Sequence, residues 1–133
     1  MKKSFTLIEI LVVATIIGLL AAASTISYSQ LSKETRNNRR KVDLDQIRSA
    51  LEMYRSNNDV YPASLNDLTT PVVYLKSIPS DPKSPTYSYT YSKVSDVDYS
   101  LGAYLEGVST TCSVTLNCGI AACNYCLGPL GQK

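Results

Sequence analysis

Residues 5–23 read FTLIEILVVATIIGLLAAA, and 18 of these 19 residues carry no charge. At about 1.5 Å per residue, a helix of this length nearly crosses a bilayer hydrocarbon core of about 30 Å. The exception is Glu9, and an ionisable side chain at mid-bilayer costs about 2–3 kcal/mol unless it reaches water or a partner. The run therefore predicts a membrane helix whose single charge needs an explanation.

Three hypotheses account for this segment. In the first, Lys2 and Lys3 begin a secretory signal that signal peptidase cuts after Ala23, releasing a small secreted binding protein stabilised by disulfides. In the second, the run is a plain membrane anchor and Glu9 reaches the near interface. In the third, the chain is cut before Phe5, so that Glu9 faces the new amino group of a neighbouring copy. The third hypothesis explains the charge.

The composition argues against an enzyme and against a nucleic-acid-binding protein. The 133 residues suffice for one domain, and the absence of histidine removes Ser–His and Cys–His pairs, an imidazole base and every histidine-containing zinc site. The 13 Lys and Arg residues nearly balance the 11 Asp and Glu residues, giving a net charge of +2. We therefore predict that the protein is not an enzyme and does not bind nucleic acid directly.

The N-terminus resembles the class III signal of type IV pilins and type II secretion pseudopilins, because Lys-Lys-Ser precedes the FTLIEILVV segment. The resemblance implies that prepilin peptidase cuts between Ser4 and Phe5 and methylates the new amine of Phe5. It also implies that Glu9 pairs with the amine of another copy during assembly, and that Gly18 marks a point where the helix loosens in the filament. Ser4 stands where the family usually has glycine.

The same resemblance implies a structural subunit of a filament that serves protein secretion, adhesion, motility or DNA uptake. Its expected partners are other copies of the chain, prepilin peptidase, the assembly platform of the inner membrane, minor pilins and the membrane itself. We expect a single-pass inner-membrane protein with a cytoplasmic N-terminus, which then joins an extracytoplasmic filament. The expected parts are a leader at 1–4, a transmembrane and filament-core helix at 5–28, and a globular head at 29–133.

The helical pattern continues beyond the membrane segment. Leu44, Ile47, Leu51 and Tyr54 recur at spacings of three and four and form one apolar stripe. We therefore predict one helix from about residue 6 to residue 57, with an amphipathic second half. Two further residues, Val42 and Ala50, are expected to widen the stripe.

A basic cluster lies in the first part of this amphipathic half. It is partly offset by neighbouring acidic residues, so we interpret it as a solvated helix face, with an extracytoplasmic interaction surface as the alternative. Its members are Lys33, Arg36, Arg39, Arg40 and Lys41.

The sequence of the rest of the head predicts an α+β fold, in which the long helix packs on a small antiparallel sheet. Residues 64–68 are typical of a short capped helix. Alternation of tyrosine with serine or threonine at 87–92, and of apolar residues at 97–105, predicts a hairpin that packs on the apolar stripe. Gly128, Pro129 and Gly131 predict an irregular, disulfide-rich C-terminal loop.

The resemblance also implies a calcium ion in the loop after this hairpin, as in secretion pseudopilins. Calcium takes six to eight oxygen ligands, usually including several carboxylates. The carboxylates that follow Asp81 are Asp96, Asp98 and Glu106, and the loop itself supplies one of them. We therefore predict no metal or other cofactor, and we keep these three residues as the ligands that a calcium ion would need.

Four cysteines cluster near the C-terminus, at Cys112, Cys118, Cys123 and Cys126. A zinc site with four cysteine ligands usually shows two C-x2-C pairs, and here the last two cysteines form the one such pair. Clustered cysteines in an exported domain more often form disulfides. We predict two disulfides, and the three pairings that four cysteines allow stay open.

Overall fold

The computed structural model describes residues 5–133, without the side chains of residues 23–27. Its contacts divide the chain after Thr35 into two compact units, and the second comprises Arg36–Lys133. Ser4, one of the two residues at the expected cleavage site, lies outside the described residues. Each unit is described by itself.

Helix α1, Leu7–Asn58, confirms the predicted long helix to within one residue at each end. Gly18 lies inside it, with helix on both sides. At the C-terminal end, Asp59 adopts a left-handed backbone with φ of 61° and donates its N–H to the carbonyl of Arg55 at 2.8 Å. Short polar residues tolerate this conformation, which stops the helix.

The predicted apolar stripe forms the helical side of the head core. Leu44, Ile47 and Leu51 are fully buried, and Tyr54 packs against the same cluster. The prediction for Val42 is wrong, because its side chain is 65% exposed. Val42 precedes Leu44 by two positions. Helical residues two positions apart are separated by about 200° around the axis, so Val42 points away from the buried stripe.

A four-stranded antiparallel sheet supplies the other side of the core, in the order β1-β2-β3-β4. The sheet side of the core cluster consists of Tyr99, Leu101, Ala103 and Leu127, all of them buried. The fold is therefore α+β, as predicted. The strands are β1 at Thr90–Ser95, β2 at Asp98–Ala103, β3 at Tyr125–Gly128 and β4 at Gly131–Gln132.

Strands β1 and β2 form the predicted hairpin, with Tyr91 opposite Leu101 and an irregularity between Lys93 and Ser95. Val97 lies in the turn and is 58% exposed, so the inward position expected from its alternation is wrong. Val97 precedes β2, which begins at Asp98, so the first inward-facing residue of this alternation is Tyr99.

The expectation of an irregular C-terminal loop is wrong for its last part. Strand β3 pairs with β2, with Leu127 opposite Leu101, and β4 returns beside β3. Gly131 has a φ of 124°, which lets the chain turn tightly after Pro129 and still pair Gly131 with Gly128. The glycines therefore form a hairpin turn rather than prevent a sheet.

The interpretation of the basic cluster as a solvated face is wrong for Arg40, whose side chain is fully buried. Arg40 precedes Leu44 by four positions and continues the buried stripe by one turn. Arg36 is half-buried on the same side, whereas Arg39 and Lys41 are exposed as expected.

The predicted short helix forms as a 3-10 helix, Leu65–Leu68. Ser64 caps it, accepting a hydrogen bond from the N–H of Asn66, and the carboxylate of Asp67 accepts one from the N–H of Ser64. Leu68 is buried and packs in the core cluster of the head.

Candidate functional site

The first candidate site is the start of α1, where Glu9 lies in the first helical turn. The Glu9 carboxylate accepts hydrogen bonds from the backbone N–H and from the hydroxyl of Thr6, both at 2.8 Å and both at Oε2. In return, the Glu9 N–H donates to the Thr6 hydroxyl at 3.4 Å. Thr6 and Glu9 thus form a reciprocal capping box that satisfies two of the free N–H groups at the start of the helix.

The surface around this cap is apolar and exposed. Between Phe5 and Leu20, the large apolar side chains have exposed fractions from 48% to 83%. Phe5 itself is 78% exposed. Glu9 is the one charged residue from Phe5 to Ser32, so the apolar surface between Phe5 and Leu20 carries a single carboxylate.

The expected span at 5–28 includes residues 23–27, whose side chains lie outside the described part of the chain. Over the residues that the structure describes, α1 contains no stretch with the length and hydropathy of a membrane span.

The second candidate site is a cluster of charges in the head, centred on Glu106. Arg36 binds this carboxylate with two parallel hydrogen bonds, from Nε at 2.7 Å and from NH2 at 2.8 Å. Arg40 donates to Oε1 at 3.0 Å, and Lys83 donates to Oε2 at 2.8 Å. The hydrogen bonds from Arg36 are the main reason why the pKa of the Glu106 carboxyl lies far below its usual range.

The Arg40 guanidinium extends this cluster into the interior. Its Nε donates to Asp81 Oδ2 at 2.7 Å and its NH2 donates to Asp81 Oδ1 at 3.0 Å. Both side chains are completely buried. Arg40 also lies over the ring of Tyr87 at 5.7 Å, and that ring stacks on Tyr104 at 4.7 Å. A buried guanidinium is stable here because carboxylates and an aromatic face surround it.

Asn37 fixes the backbone of the loop that carries Glu106. Its amide donates to the Glu106 carbonyl and its side-chain oxygen accepts from the Glu106 N–H, both at 2.9 Å. One turn of α1 therefore holds both the backbone and the side chain of Glu106. Sequence reasoning missed this role of Asn37 and found no signal for it.

The three candidate calcium ligands do not converge. Asp96 pairs with Lys93 at 2.8 Å and Asp98 pairs with Lys133 at 2.6 Å, while Glu106 belongs to the cluster with Arg36. Among the described residues, no three cysteine, aspartate or glutamate side chains are grouped so as to hold a metal ion.

The four cysteines form two disulfides, as predicted, and the structure selects the pairing. Cys112 joins Cys126, and Cys118 joins Cys123. These sulfurs are thereby unavailable as thiolate ligands, which excludes the zinc alternative. Gly102 of β2 lies against them, since a Cβ at this position would come within 2.8 Å of the Cys123 sulfur.

Asn124 holds the segment between β2 and Cys112, the first cysteine of the Cys112–Cys126 disulfide. Its side chain exchanges two hydrogen bonds with the backbone of Leu105, at 2.6 and 2.8 Å, and donates to the carbonyl of Val108 at 3.0 Å. The loop after the hairpin is therefore held by Asn124 on one side and by the Glu106 cluster on the other.

The chain matches known proteins at its N-terminus and over most of its length. Residues 1–25 match the family model described as the prokaryotic N-terminal methylation motif. The type II secretion system core protein G of Pseudomonas aeruginosa is 33% identical over 103 residues, covering 66% of this chain and 72% of that protein. No solved structure matches the chain significantly.

Proteins of the same name in two other bacteria give similar values. That of Vibrio cholerae is 28% identical over 102 residues, covering 66% of this chain and 70% of the relative. That of Klebsiella michiganensis is 32% identical over 103 residues, covering 65% of this chain and 71% of the relative. The chain therefore belongs to the family of the type II secretion system core protein G, the pseudopilins, whose members are structural subunits rather than enzymes.

Proposed function

We propose that prepilin peptidase cuts this chain between Ser4 and Phe5 and methylates the new amine, and that the product polymerises into a filament through its N-terminal helices. Before assembly, residues 5–28 anchor it in the inner membrane with the N-terminus in the cytoplasm. The names of its relatives favour a type II secretion filament in the periplasm over a pilus for adhesion, motility or DNA uptake. Its partners are prepilin peptidase, the assembly platform and minor pseudopilins.

The observation that carries this proposal is the exposed apolar surface between Phe5 and Leu20, with Glu9 as its one charge. Burying a leucine or isoleucine side chain of this kind contributes about 1.5–3 kcal/mol. Lipid covers this surface before assembly, and neighbouring helices cover it in the filament. The apolar surface is shielded from water in both surroundings, so close packing of the helices and the pairing of Glu9 favour the bundle, and Glu9 sets the register of its helices.

Glu9 sets the register because a carboxylate inside an apolar bundle needs a cation. Within the described chain its two hydrogen bonds both end on Oε2 and come from Thr6, which is neutral. The amine of Phe5 in a neighbouring copy supplies the positive charge at Oε1. A buried pair of this kind fixes the axial offset of two helices, because any other offset leaves two charges unpaired.

Gly18 is proposed to loosen the helix in the filament. A Cβ added at Gly18 would have open space around it. Apart from the nearby helix backbone and the two residues adjacent to Gly18, no described atom lies within 4 Å of its position. Glycine weakens a helix interior by about 1 kcal/mol relative to alanine, which makes this point the easiest to unwind when helices pack tightly.

The alternative is a secreted binding protein cut after Ala23. It would discard Phe5, Glu9 and Gly18, the residues that the methylation-motif match covers. It would also leave the similarity to core protein G without a role for its membrane segment. The match over residues 1–25 therefore favours the filament subunit.

The intact mass and N-terminal sequence of the chain from its native membrane fraction test this proposal. We expect a start at Phe5 with about 14 Da added by one methyl group. Cells that lack prepilin peptidase are the control, and there the chain should begin at Met1. A start at Ser24 in normal cells would support the secreted alternative, and an uncut chain would contradict processing.

A further inference from the structure

The loop after β2 is the place where the family resemblance implies a calcium ion, and its donor set does not fit one. Calcium needs six to eight oxygens and is favoured by several carboxylates. Glu106 is the one carboxylate of this loop, and both of its oxygens already accept hydrogen bonds from cationic side chains. The negative charge of Glu106 is therefore already neutralised by these cationic side chains.

The charge balance of the cluster also opposes a divalent cation. Three cationic side chains, Arg36, Arg40 and Lys83, face the two carboxylates of Asp81 and Glu106. A calcium ion placed beside Glu106, whose side chain is only 10% exposed, would lie within a few ångströms of these cations. Like charges at such distances repel strongly where water is scarce.

Arg40 joins three segments of the head. Its Nε and NH2 bind Asp81, which precedes the loop containing Lys83, while its NH1 binds Glu106 after β2. These two carboxylates are 41 and 66 residues away from Arg40 in the sequence. One planar group with five donors thus ties α1 to two loops, in fixed directions that suit carboxylates.

We propose that the Arg40 guanidinium replaces a calcium ion as the cation that organises this region, so that the head of this pseudopilin folds and stays folded without calcium. Arg36 and Lys83 complete the neutralisation of Glu106 from the solvent side. Asn124 and the Cys112–Cys126 disulfide hold the remainder of the loop. This inference concerns the head alone and does not depend on filament assembly.

Thermal unfolding of the full chain in detergent, with 5 mM CaCl2 or with 5 mM EGTA, tests the proposal directly. We expect the two Tm values to agree within about 1 °C, since no calcium site contributes to stability. A site whose Kd lies about 100-fold below the calcium concentration would instead raise Tm by about 10 °C or more. A calcium-dependent rise of that size would overturn the proposal.

Substitution of Arg40 tests the other half of the proposal. Arg40→Met leaves the buried Asp81 carboxylate without its cation and with one backbone hydrogen bond, from the N–H of Lys83, so we expect Tm to fall by about 12 °C or more. The matched control is Arg39→Met, which changes the neighbouring exposed arginine and should shift Tm by less than about 3 °C. Equal small shifts for both variants would contradict an organising role for Arg40.

If Arg40→Met does not fold, Arg40→Lys and Arg36→Gln separate the possibilities. Lysine keeps the charge and lacks the planar fork, so it cannot reach Asp81 and Glu106 together, and we expect Tm to fall by about 8 °C or more. Arg36→Gln leaves Arg40 in place, so it should fold with a smaller loss, and calcium should not restore its Tm. A Tm unchanged by Arg40→Lys, or restored by calcium in Arg36→Gln, would overturn the proposal.

Discussion

Replacing Glu9 with leucine is expected to reduce the yield of assembled filament about 100-fold or more, while the chain still enters the membrane fraction. The substitution removes one partner of a buried charge pair and leaves the neighbour's amine unpaired, which costs about 3–5 kcal/mol for each contact. Leucine is apolar, so insertion itself becomes easier. The measurement is the amount of chain in filaments released from the periplasm by opening the outer membrane, relative to the amount in the inner membrane, in cells that have a type II secretion system.

Two further variants separate the charge of Glu9 from its other properties. Glu34→Leu makes the same change on the same helix outside the apolar run, and it should leave the yield within about twofold. Glu9→Gln keeps an oxygen that can accept from the Thr6 N–H, so it preserves the capping box and removes the charge. We expect Glu9→Gln to fail in assembly as Glu9→Leu does. Normal assembly of Glu9→Gln would show that the cap matters and that the charge pair does not.

Removal of the longer disulfide is expected to have the largest effect on the stability of the head after the loss of Arg40. The bridge from Cys112 to Cys126 spans 14 positions and ties the loop after β2 to β3. Chain-entropy reasoning gives about 3 kcal/mol for a loop of this length. The variant Cys112→Ala/Cys126→Ala should therefore lose about 3 kcal/mol in the free energy of unfolding, measured by urea denaturation of the full chain in detergent.

The second bridge provides the matched control. Cys118 and Cys123 are only five positions apart, so their bridge restricts the unfolded chain less, and its removal should cost about 2 kcal/mol. Both variants delete two sulfurs that lie in the same cluster of buried residues. A larger loss from the shorter bridge would contradict the account in which loop closure determines the stability.

The elements that the sequence predicts correctly are those whose signal is local. The stripe from Leu44 to Leu51 predicts both the helix and its buried face, because spacings of three and four need no knowledge of the rest of the fold. Alternation predicts the β1–β2 hairpin for the same reason. The signal that predicts the family is also contiguous, since it lies within residues 1–25.

The Glu106 cluster was missed because its partners are distant in the sequence. Arg40 has the right spacing to continue the stripe that begins at Leu44, but a charged residue on a helix is normally taken as solvated. Its burial becomes understandable only when Asp81 and Glu106 are brought to it, over 41 and 66 positions. The burial of Arg40 thus follows the helical periodicity of the stripe and departs from the usual exposure of arginine.

The capping box at the start of α1 has a visible signal in the sequence. Thr6 and Glu9 have the spacing of a capping threonine and its glutamate partner. An explanation of Glu9 through a neighbouring copy does not predict these contacts within its own helix. The structure shows that the carboxylate forms hydrogen bonds in the single chain, so the proposed role of Glu9 in assembly has to coexist with them.

The disulfide pairing and the last two strands depend on each other, which explains why neither could be predicted. Strand β3 places Cys126 opposite Gly102 of β2, and the absence of a side chain at Gly102 leaves room for the Cys123 sulfur. This arrangement results from long-range strand pairing. The spacing of four cysteines carries no information about it.

The central claim is that the N-terminal helices of different copies meet at Phe5 and Glu9. Filaments assembled from a mixture of ¹⁴N-labelled and ¹⁵N-labelled chains, treated with a carbodiimide that joins an amine directly to a carboxylate, test it by mass spectrometry. We predict crosslinked pairs of the peptide that begins at Phe5, with one light and one heavy member joined through the Phe5 amine and Glu9. Crosslinks confined to single peptides, with no mixed pairs, would contradict the claim.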